Sequence, residues 1–195
     1  LNFDPTQEIF DETNEFGGYT AWTIPNGSPN LLAPTNPIAL LDLVEDNSNV
    51  KRYLTNATFD YRFPFLSSLR ANLNVAYDYS YGKGTNIIPN YASFTYDAIN
   101  GGGVNNEYSQ TKKNRLIEYY MNYKEDFGKN TFDIMAGYSW QHFFVESSFK
   151  NSDSAGTPSE TQEDSSPAEL YLVSLFGRIN YSYANRYLLT FTLRR

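Results

Sequence analysis

Cysteine is absent, so disulfides, thiolate metal sites and cysteine nucleophiles are excluded, although the compartment is not thereby identified. No run approaches the roughly 18 consecutive apolar residues of a transmembrane helix. The mean hydropathy is −0.53, which excludes a helical membrane protein. It does not exclude a β-barrel, whose alternating strands average out on a hydropathy scale. Positive charge is the scarcer sign: 15 Lys and Arg face 22 Asp and Glu, a net −7. The basic residues are scattered apart from Lys51-Arg52, Lys112-Lys113 and Arg194-Arg195, which argues against a nucleic-acid partner. Neither an initiator methionine nor a signal-peptide pattern opens the chain at Leu1-Asn2-Phe3, and it stops within an apparent strand at Arg195. The expectation is an excised segment of a longer protein.

Aromatic residues are abundant, with 17 Tyr and 14 Phe, too many for a disordered chain. Period-two alternation predicts six strands, at Lys51–Phe63, Leu69–Gly82, Arg115–Glu125, Thr131–Phe143, Tyr171–Tyr183 and Tyr187–Arg194. One parity of each strand, taken from Tyr53 in the first and over Ile117–Tyr123 in the third, is apolar or aromatic except at Thr55, His142 and Gly177. The opposite parity carries Arg52, Asn56, Asp60, Arg62, Arg70, Asn72, Asn74, Asp78, Glu118, Asp133 and Arg178. Connections alternate in length. Pro64–Ser68, Asp126–Asn130 and Ala184–Arg186 read as tight turns, whereas Lys83–Asn114 and Phe144–Leu170 read as long loops. Residues 1–50, rich in Pro, Asn and Gly, also read mainly as loop. Short turns at one end and long loops at the other are the layout of an outer-membrane barrel.

The rings favour this reading over a soluble sandwich, whose largest side chains belong mid-strand. Tyr77, Tyr79 and Tyr81 gather where the second strand nears a long loop. Tyr61, Phe63, Tyr123, Tyr181, Tyr183 and Tyr187 flank short turns, and Trp140 lies towards the other end of its strand. Such rings suit the headgroup level, apolar in body and wet at the tip. The fold expected is all-β: an antiparallel transmembrane β-barrel segment of six long strands in three hairpins, with short periplasmic turns and long extracellular loops. Six strands cannot close a membrane barrel, which needs about eight, so two edges should remain open.

Three blocks carry a resemblance to a known family. The first runs through Asn36-Pro37-Ile38-Ala39, Asn49-Val50-Lys51-Arg52, Pro64-Phe65-Leu66, Leu69-Arg70-Ala71-Asn72-Leu73 and Tyr77-Asp78-Tyr79-Ser80. The second is Thr131–Gln141 and the third Tyr171–Arg195. In this order they resemble part of the barrel of SusC/RagA-like TonB-dependent outer-membrane transporters. The resemblance implies a partial barrel domain over residues 1–195, the plug and TonB box not being in this chain. It further implies a Gram-negative outer membrane, and import of oligosaccharides or peptides by binding and translocation, without covalent chemistry. A SusD-like surface lipoprotein would serve as lid and the TonB complex as energy source. No cofactor is implied.

On that reading the polar parity faces the lumen, where its residues become candidate contacts to plug or substrate. Tyr19, Trp22, Tyr91, Phe94 and Tyr96 are candidate loop contacts to substrate or lid, since sugar sites pair stacking rings with hydrogen-bonding groups. The same rings could instead pack loop on loop. His142, after Trp140 on the apolar parity, reads as an interfacial ring rather than a ligand or base. Glu118 and Asp133 could imitate a glycosidase pair, but nothing in the sequence fixes their separation. Gly101-Gly102-Gly103 reads as a flexible loop tip, and the acidic run Glu160–Asp164 as a solvated loop. No metal set is read. The alternatives are a passive porin, a structural or adhesive outer-membrane barrel, and a soluble carbohydrate-binding sandwich.

Overall fold

A computed structural model describes residues 3–195. The strands are β1 (Glu45–Arg62), β2 (Leu69–Ile88), β3 (Val104–Phe127), β4 (Asn130–Asn151), β5 (Gln162–Tyr183) and β6 (Tyr187–Arg194). They form one sheet in the order β1-β2-β3-β4-β5-β6, so every strand pairs with its neighbour in sequence. The β5–β6 pair is antiparallel, with Tyr183 opposite Tyr187 and Phe176 opposite Arg194. Its turn takes Ala184 and Asn185 through left-handed backbone, at φ 50° and 54°. No described helix is long and apolar enough to cross a membrane, which leaves open a crossing by strands.

The six expected strands are all present, but their ends are not where apolar alternation places them. β2 continues to Ile88, β3 begins at Val104, β4 continues to Asn151 and β5 begins at Gln162. The expected loops at Lys83–Asn114 and Phe144–Leu170 therefore shrink to Pro89–Gly103 and Ser152–Thr161. The reason is physical. Alternation of apolar and polar residues records what each face touches, whereas the ladder needs only backbone donors and acceptors. Where both faces are wet, as along Asn105-Asn106-Glu107 and Ser109-Gln110-Thr111, strand persists without an alternating signal. A tilted crossing takes about 9–11 residues, and β3 has 24.

Residues 3–36 are irregular, with isolated bridges pairing Phe10 with Tyr19 and Thr23 with Pro29. The expected loop over residues 1–50 ends early. A helix, α1 (Pro37–Leu43), interrupts it, and β1 begins at Glu45. Residues 1 and 2 lie outside the described residues. Asn36 caps α1 by accepting from the Ile38 amide at 3.0 Å, and Pro37 takes the first turn, where its missing N–H costs nothing. Asn36 also donates to the Ile9 carbonyl at 2.7 Å.

Two compact units partition the chain. One, here the loop unit, comprises Leu1–Val50, Gly82–Gln110 and Ser147–Ser166; the other, the strand unit, comprises Lys51–Tyr81, Thr111–Glu146 and Pro167–Arg195. Buried apolar residues are few among those described: Phe16, Ala39 and Ala92, all in the loop unit. The strand unit has no enclosed core of its own. Leu54, Phe59, Ile117, Val173, Leu175, Leu189 and Phe191 are exposed on it. A soluble sandwich would bury such side chains against a second sheet, and the described residues form only one.

Candidate functional site: the two faces of the sheet and the loop clefts

Within the strand unit the polar residues form a ladder across four strands. The Arg52 guanidinium bonds both oxygens of Asp78, at 2.9 and 3.0 Å, and Asn114 donates to the same carboxylate at 3.3 Å. Thr58 donates to Asn74, Asn74 to Glu118, and Ser139 to Glu118, at 3.3 to 3.4 Å. Asn122 donates to Asp133 at 2.6 Å, Asn72 to Asp60 at 3.4 Å, and Arg62 to the Ser67 carbonyl at 2.8 Å. Eight of the residues singled out for this face thus share contacts: Arg52 with Asp78, Asn72 with Asp60, Asn74 with Glu118, and Asp133 and Arg62 with partners of their own. Asn56, Arg70 and Arg178 lie on the same parity and have no side-chain hydrogen bond among the described residues. Glu118 and Asp133 are each held by different neighbours, and the ladder offers no paired-carboxylate arrangement.

Sequence reasoning missed one part of this face. Phe176 and Tyr120 close over Gly137, leaving so little room that an added Cβ would stand 2.5 Å from the Phe176 Cζ and 2.6 Å from the Tyr120 Cβ. A glycine within an otherwise regular strand was the available signal for such a close approach.

The opposite face gathers its rings at two levels. Near the tight turns Tyr61 meets Phe63 edge-on at 5.1 Å, Phe132 lies 5.0 Å from Tyr181, and Tyr183 stacks with Tyr187 at 6.5 Å. Towards the other end Tyr53, Tyr77 and Tyr79 adjoin one another, and Trp140 lies 6.3 Å from Tyr171. Tyr81 and Tyr123 sit on this parity without a ring partner among the described residues. His142 is in the second group, but it is not an open interfacial ring. It is 6 % exposed and stacks on Tyr171 at 4.3 Å, with both ring nitrogens lacking a hydrogen-bond partner.

In the loop unit the five candidate rings are engaged with the loops. Tyr19 donates to Asp42 at 2.8 Å, Tyr96 meets Phe16 edge-on at 5.9 Å, and the Tyr91 ring abuts Gly17. Trp22 and Phe94 line one hollow of about 20 Å³, room for little more than a water molecule. The larger clefts lie elsewhere and carry no ring. One of about 360 Å³ is lined by Asp97, Asn100, Asn106, Asp153, Glu160 and Gln162. Its neighbour, about 540 Å³ and sharing Ser152, presents Asn105, Glu107, Lys150, Thr161 and Glu163. Their residues come from two stretches far apart in sequence, Thr95–Glu107 and Lys150–Glu163, which include strand ends as well as loops; the only advance signal was the Asn, Asp and Ser content common to both.

The triglycine, expected to be a free tip, is a packed turn. A Cβ on Gly102 would meet the Thr95 carbonyl at 2.8 Å, and one on Gly103 the Ile88 carbonyl at 2.7 Å. Asp153, 7 % exposed, accepts from the Thr157 hydroxyl and, at 2.7 Å, from its amide. Those bonds, led by the Thr157 hydroxyl, hold its carboxyl below the usual carboxylate value. A depressed pKa contributes stability that is present above the ordinary carboxylate range and lost as pH falls through the lowered value. Hydrogen exchange at the Thr157 amide should therefore stay slow on acidification through that range and quicken only beneath it, while Asp153→Asn speeds it at every pH. Loss of protection in the wild type already above that range would show that Asp153 is not the latch.

One sheet of consecutive antiparallel strands, with a polar ladder on one face and an apolar face belted by rings at two levels, defines a segment of an outer-membrane β-barrel. Relatives agree. Over its whole length the chain is 36% identical to the TonB-dependent receptor SusC of Bacteroides thetaiotaomicron, of which it spans 21%. Over 49% of its length it is 37% identical to the TonB-dependent receptor P3 of Formosa agariphila, of which the match covers 10%. Among solved structures, the RagAB peptide transporter superposes on 91% of the chain with a TM-score of 0.73 at 16% identity, the match covering 20% of that chain. The same importer in its open-open state gives 0.71 at 13% identity over 91% of this chain and 20% of that one. No family profile matches the sequence. The chain belongs to the SusC/RagA-like TonB-dependent outer-membrane transporters, as part of their β-barrel, and spans about a fifth of the length of SusC.

Proposed function

We propose that the protein carrying this chain imports nutrients across the outer membrane by TonB-dependent binding and translocation, without covalent chemistry. The observation that carries the reading is the match to SusC along the entire chain. The arrangement of the two faces supports it: a bilayer would cover the exposed apolar parity, and the Arg52–Asp78–Asn114 and Asn74–Glu118–Ser139 bonds would line the lumen beside a plug. Charge-assisted bonds in such a wall could grip a plug or bind cargo in transit. Oligosaccharide is the first reading, since the amide, hydroxyl and carboxylate groups that wall the loop clefts suit hydrogen bonding to a hydroxyl-rich cargo, although neither cleft holds a stacking ring; peptide is the second, from the likeness to the RagAB peptide transporter. A SusD-like surface lipoprotein is the lid partner in either case.

Two measurements test this. In cells dependent on the intact receptor, uptake of the limiting oligosaccharide or peptide should cease when the proton gradient is collapsed. Uptake that persists would indicate a passive porin instead. Nitroxides placed at Ile117→Cys and Val173→Cys should be open to oxygen and shielded from a water-soluble relaxant, and one at Asn122→Cys the reverse. Equal exposure to the aqueous reagent at all three would sink the assignment of faces.

A further inference from the structure

We propose that Tyr108, Phe149 and the amides of Asn106, Asn151 and Gln162 form a binding site for a neutral oligosaccharide within the loop unit. The proposal rests on the nutrient-import reading and deepens it to a site and a charge class of cargo. The Asn105 amide donates to the Ser152 carbonyl at 2.8 Å, and the Ser152 hydroxyl returns a bond to the Asn105 carbonyl at 2.9 Å. Farther along, Gln110 donates to Ser147 at 3.0 Å. These contacts hold β3 and β4 in one register, which sets Asn106 opposite Asn151 and Tyr108 opposite Phe149. Both pairs share the parity of Gln110 and Ser147, which the same strands continue to Glu118 and Ser139. On the reading above, that parity lines the lumen.

Two open rings on a wet parity need a reason. Tyr108 is 43 % exposed and Phe149 40 %, between Asn, Gln and Ser neighbours on the same parity. The outer end of the Tyr108 ring lies over Gly84, where a Cβ would collide with it, and its hydroxyl donates to Asp46 at 3.4 Å. The ring therefore leans across β2 with one side against the strand and the other open. Such a ring is a platform for the C–H face of a pyranose, and hydrogen-bonding groups beside it complete a sugar site. Asn106, Asn151 and Gln162 supply them. They line the cleft of about 360 Å³ and have no side-chain hydrogen bond of their own among the described residues. Neither ring lines that cleft; both lie one step along the strands from its floor. Alternate residues of a strand are roughly 7 Å apart, on the order of one sugar unit, so the arrangement suits a chain with one unit on the rings and the next at the amides.

Charge decides which oligosaccharide. The ionisable residues lining the cleft are Asp97, Asp153 and Glu160, with no Lys or Arg among them. Lys150 lies on the opposite parity and lines the other cleft, with Glu107 and Glu163. A uronate or sulfate seated at the amides would meet three like charges and no counter-charge. A neutral chain meets only donors and acceptors, and its hydroxyls can donate to the same carboxylates.

The test titrates the intact receptor, in a detergent without a sugar headgroup, with cellohexaose and mannohexaose and with the same chains oxidised to uronates at C6. The wild type should bind a neutral chain and bind its uronate about tenfold more weakly or worse. Tyr108→Ala and Phe149→Ala should each weaken binding of the neutral chain by roughly threefold to tenfold, the share of one stacked ring. Tyr108→Phe keeps the ring without the Asp46 bond and should retain most of the affinity. Glu160→Lys should raise affinity for the uronate by about tenfold at low salt, for a two-unit charge change at roughly 6 Å in water. A merely damaged fold would not produce that gain. No binding of either neutral chain, equal affinity for a chain and its uronate, unchanged binding in both alanine variants, or no gain in Glu160→Lys overturns the site. Titration in detergent needs no proton gradient, so the site and energised import fail separately. Gradient-driven uptake that ignores Tyr108→Ala and Phe149→Ala would overturn the site and leave the importer standing.

Discussion

Gly137→Ala is expected to destabilise the barrel by about 1–3 kcal/mol, the usual cost of forcing atoms into a packed site. The new methyl would lie 2.5 Å from the Phe176 Cζ and 2.6 Å from the Tyr120 Cβ. The two neighbours differ in what they can yield. Phe176 presents the far end of a ring that can swing, whereas the Tyr120 Cβ is fixed to the backbone of the adjacent strand and can retreat only with it. Phe176→Ala in the same molecule should therefore recover part of the loss but not all. Urea midpoints of the intact receptor, read by heat-modifiable mobility, give both numbers. A Gly137→Ala midpoint equal to the wild type would mean that the closure over Gly137 is not tight. Full recovery in the double variant would mean that Tyr120 contributes nothing.

Asn36→Ala should loosen the loop unit by about 2–4 kcal/mol. The side chain is 2 % exposed and bonds in both directions. Its oxygen caps α1, a contribution of about 1 kcal/mol, and its amide donates to the Ile9 carbonyl, which would be left unpaired at a further cost of about 1–3 kcal/mol. Asn36→Asp keeps the capping oxygen but turns a second oxygen towards the Ile9 carbonyl in a nearly sealed site, so it should loosen residues 9–20 at least as much as Ala does while retaining the cap. Hydrogen exchange over residues 9–20 and over α1 reads the two halves separately. If both Asp and Ala leave residues 9–20 as protected as in the wild type, the donor is not what ties that segment down. The Asn36-Pro37-Ile38-Ala39 motif thus has a local physical account: an acceptor at the cap, a residue without an amide proton in the first turn, and Ala39, 1 % exposed, where the helix packs.

What could be read in advance follows from what writes a signal into a sequence. The stretches Lys51–Arg62 and Thr131–Phe143 were legible because one face is apolar and the other polar, a contrast that fixes strand and register together. Polar extensions such as Val104–Gln110 and Ser147–Asn151 carry no such contrast, so their strand character became visible only in the ladder. α1 has only seven residues, too few for helical periodicity to stand out, although Asn36 and Pro37 were a readable start signal. The Arg52–Asp78 pair needed only register, which the short Pro64–Ser68 turn supplies, whereas Asn74–Glu118 spans β2 and β3, whose long Pro89–Gly103 connection fixes no register. Burial of His142 under Tyr171 and the clefts shared by Asp97 and Glu160 required knowing which distant strands and loops meet. No local pattern encodes that.

The strict strand order also bears on how such a chain can assemble. Each strand pairs only with its neighbours in sequence, and β5 and β6 are joined by only Ala184, Asn185 and Arg186. Loop-closure entropy rises only slowly with loop length, so even the Pro89–Gly103 connection adds little to the barrier. Contacts local in sequence favour fast folding. The sheet can therefore grow by zippering in the order of the chain, each hairpin using the exposed edge of its predecessor as a template. At every stage the growing edge offers unpaired amides and carbonyls, which makes strand addition productive and leaves an unfinished sheet open to pairing with the wrong chain.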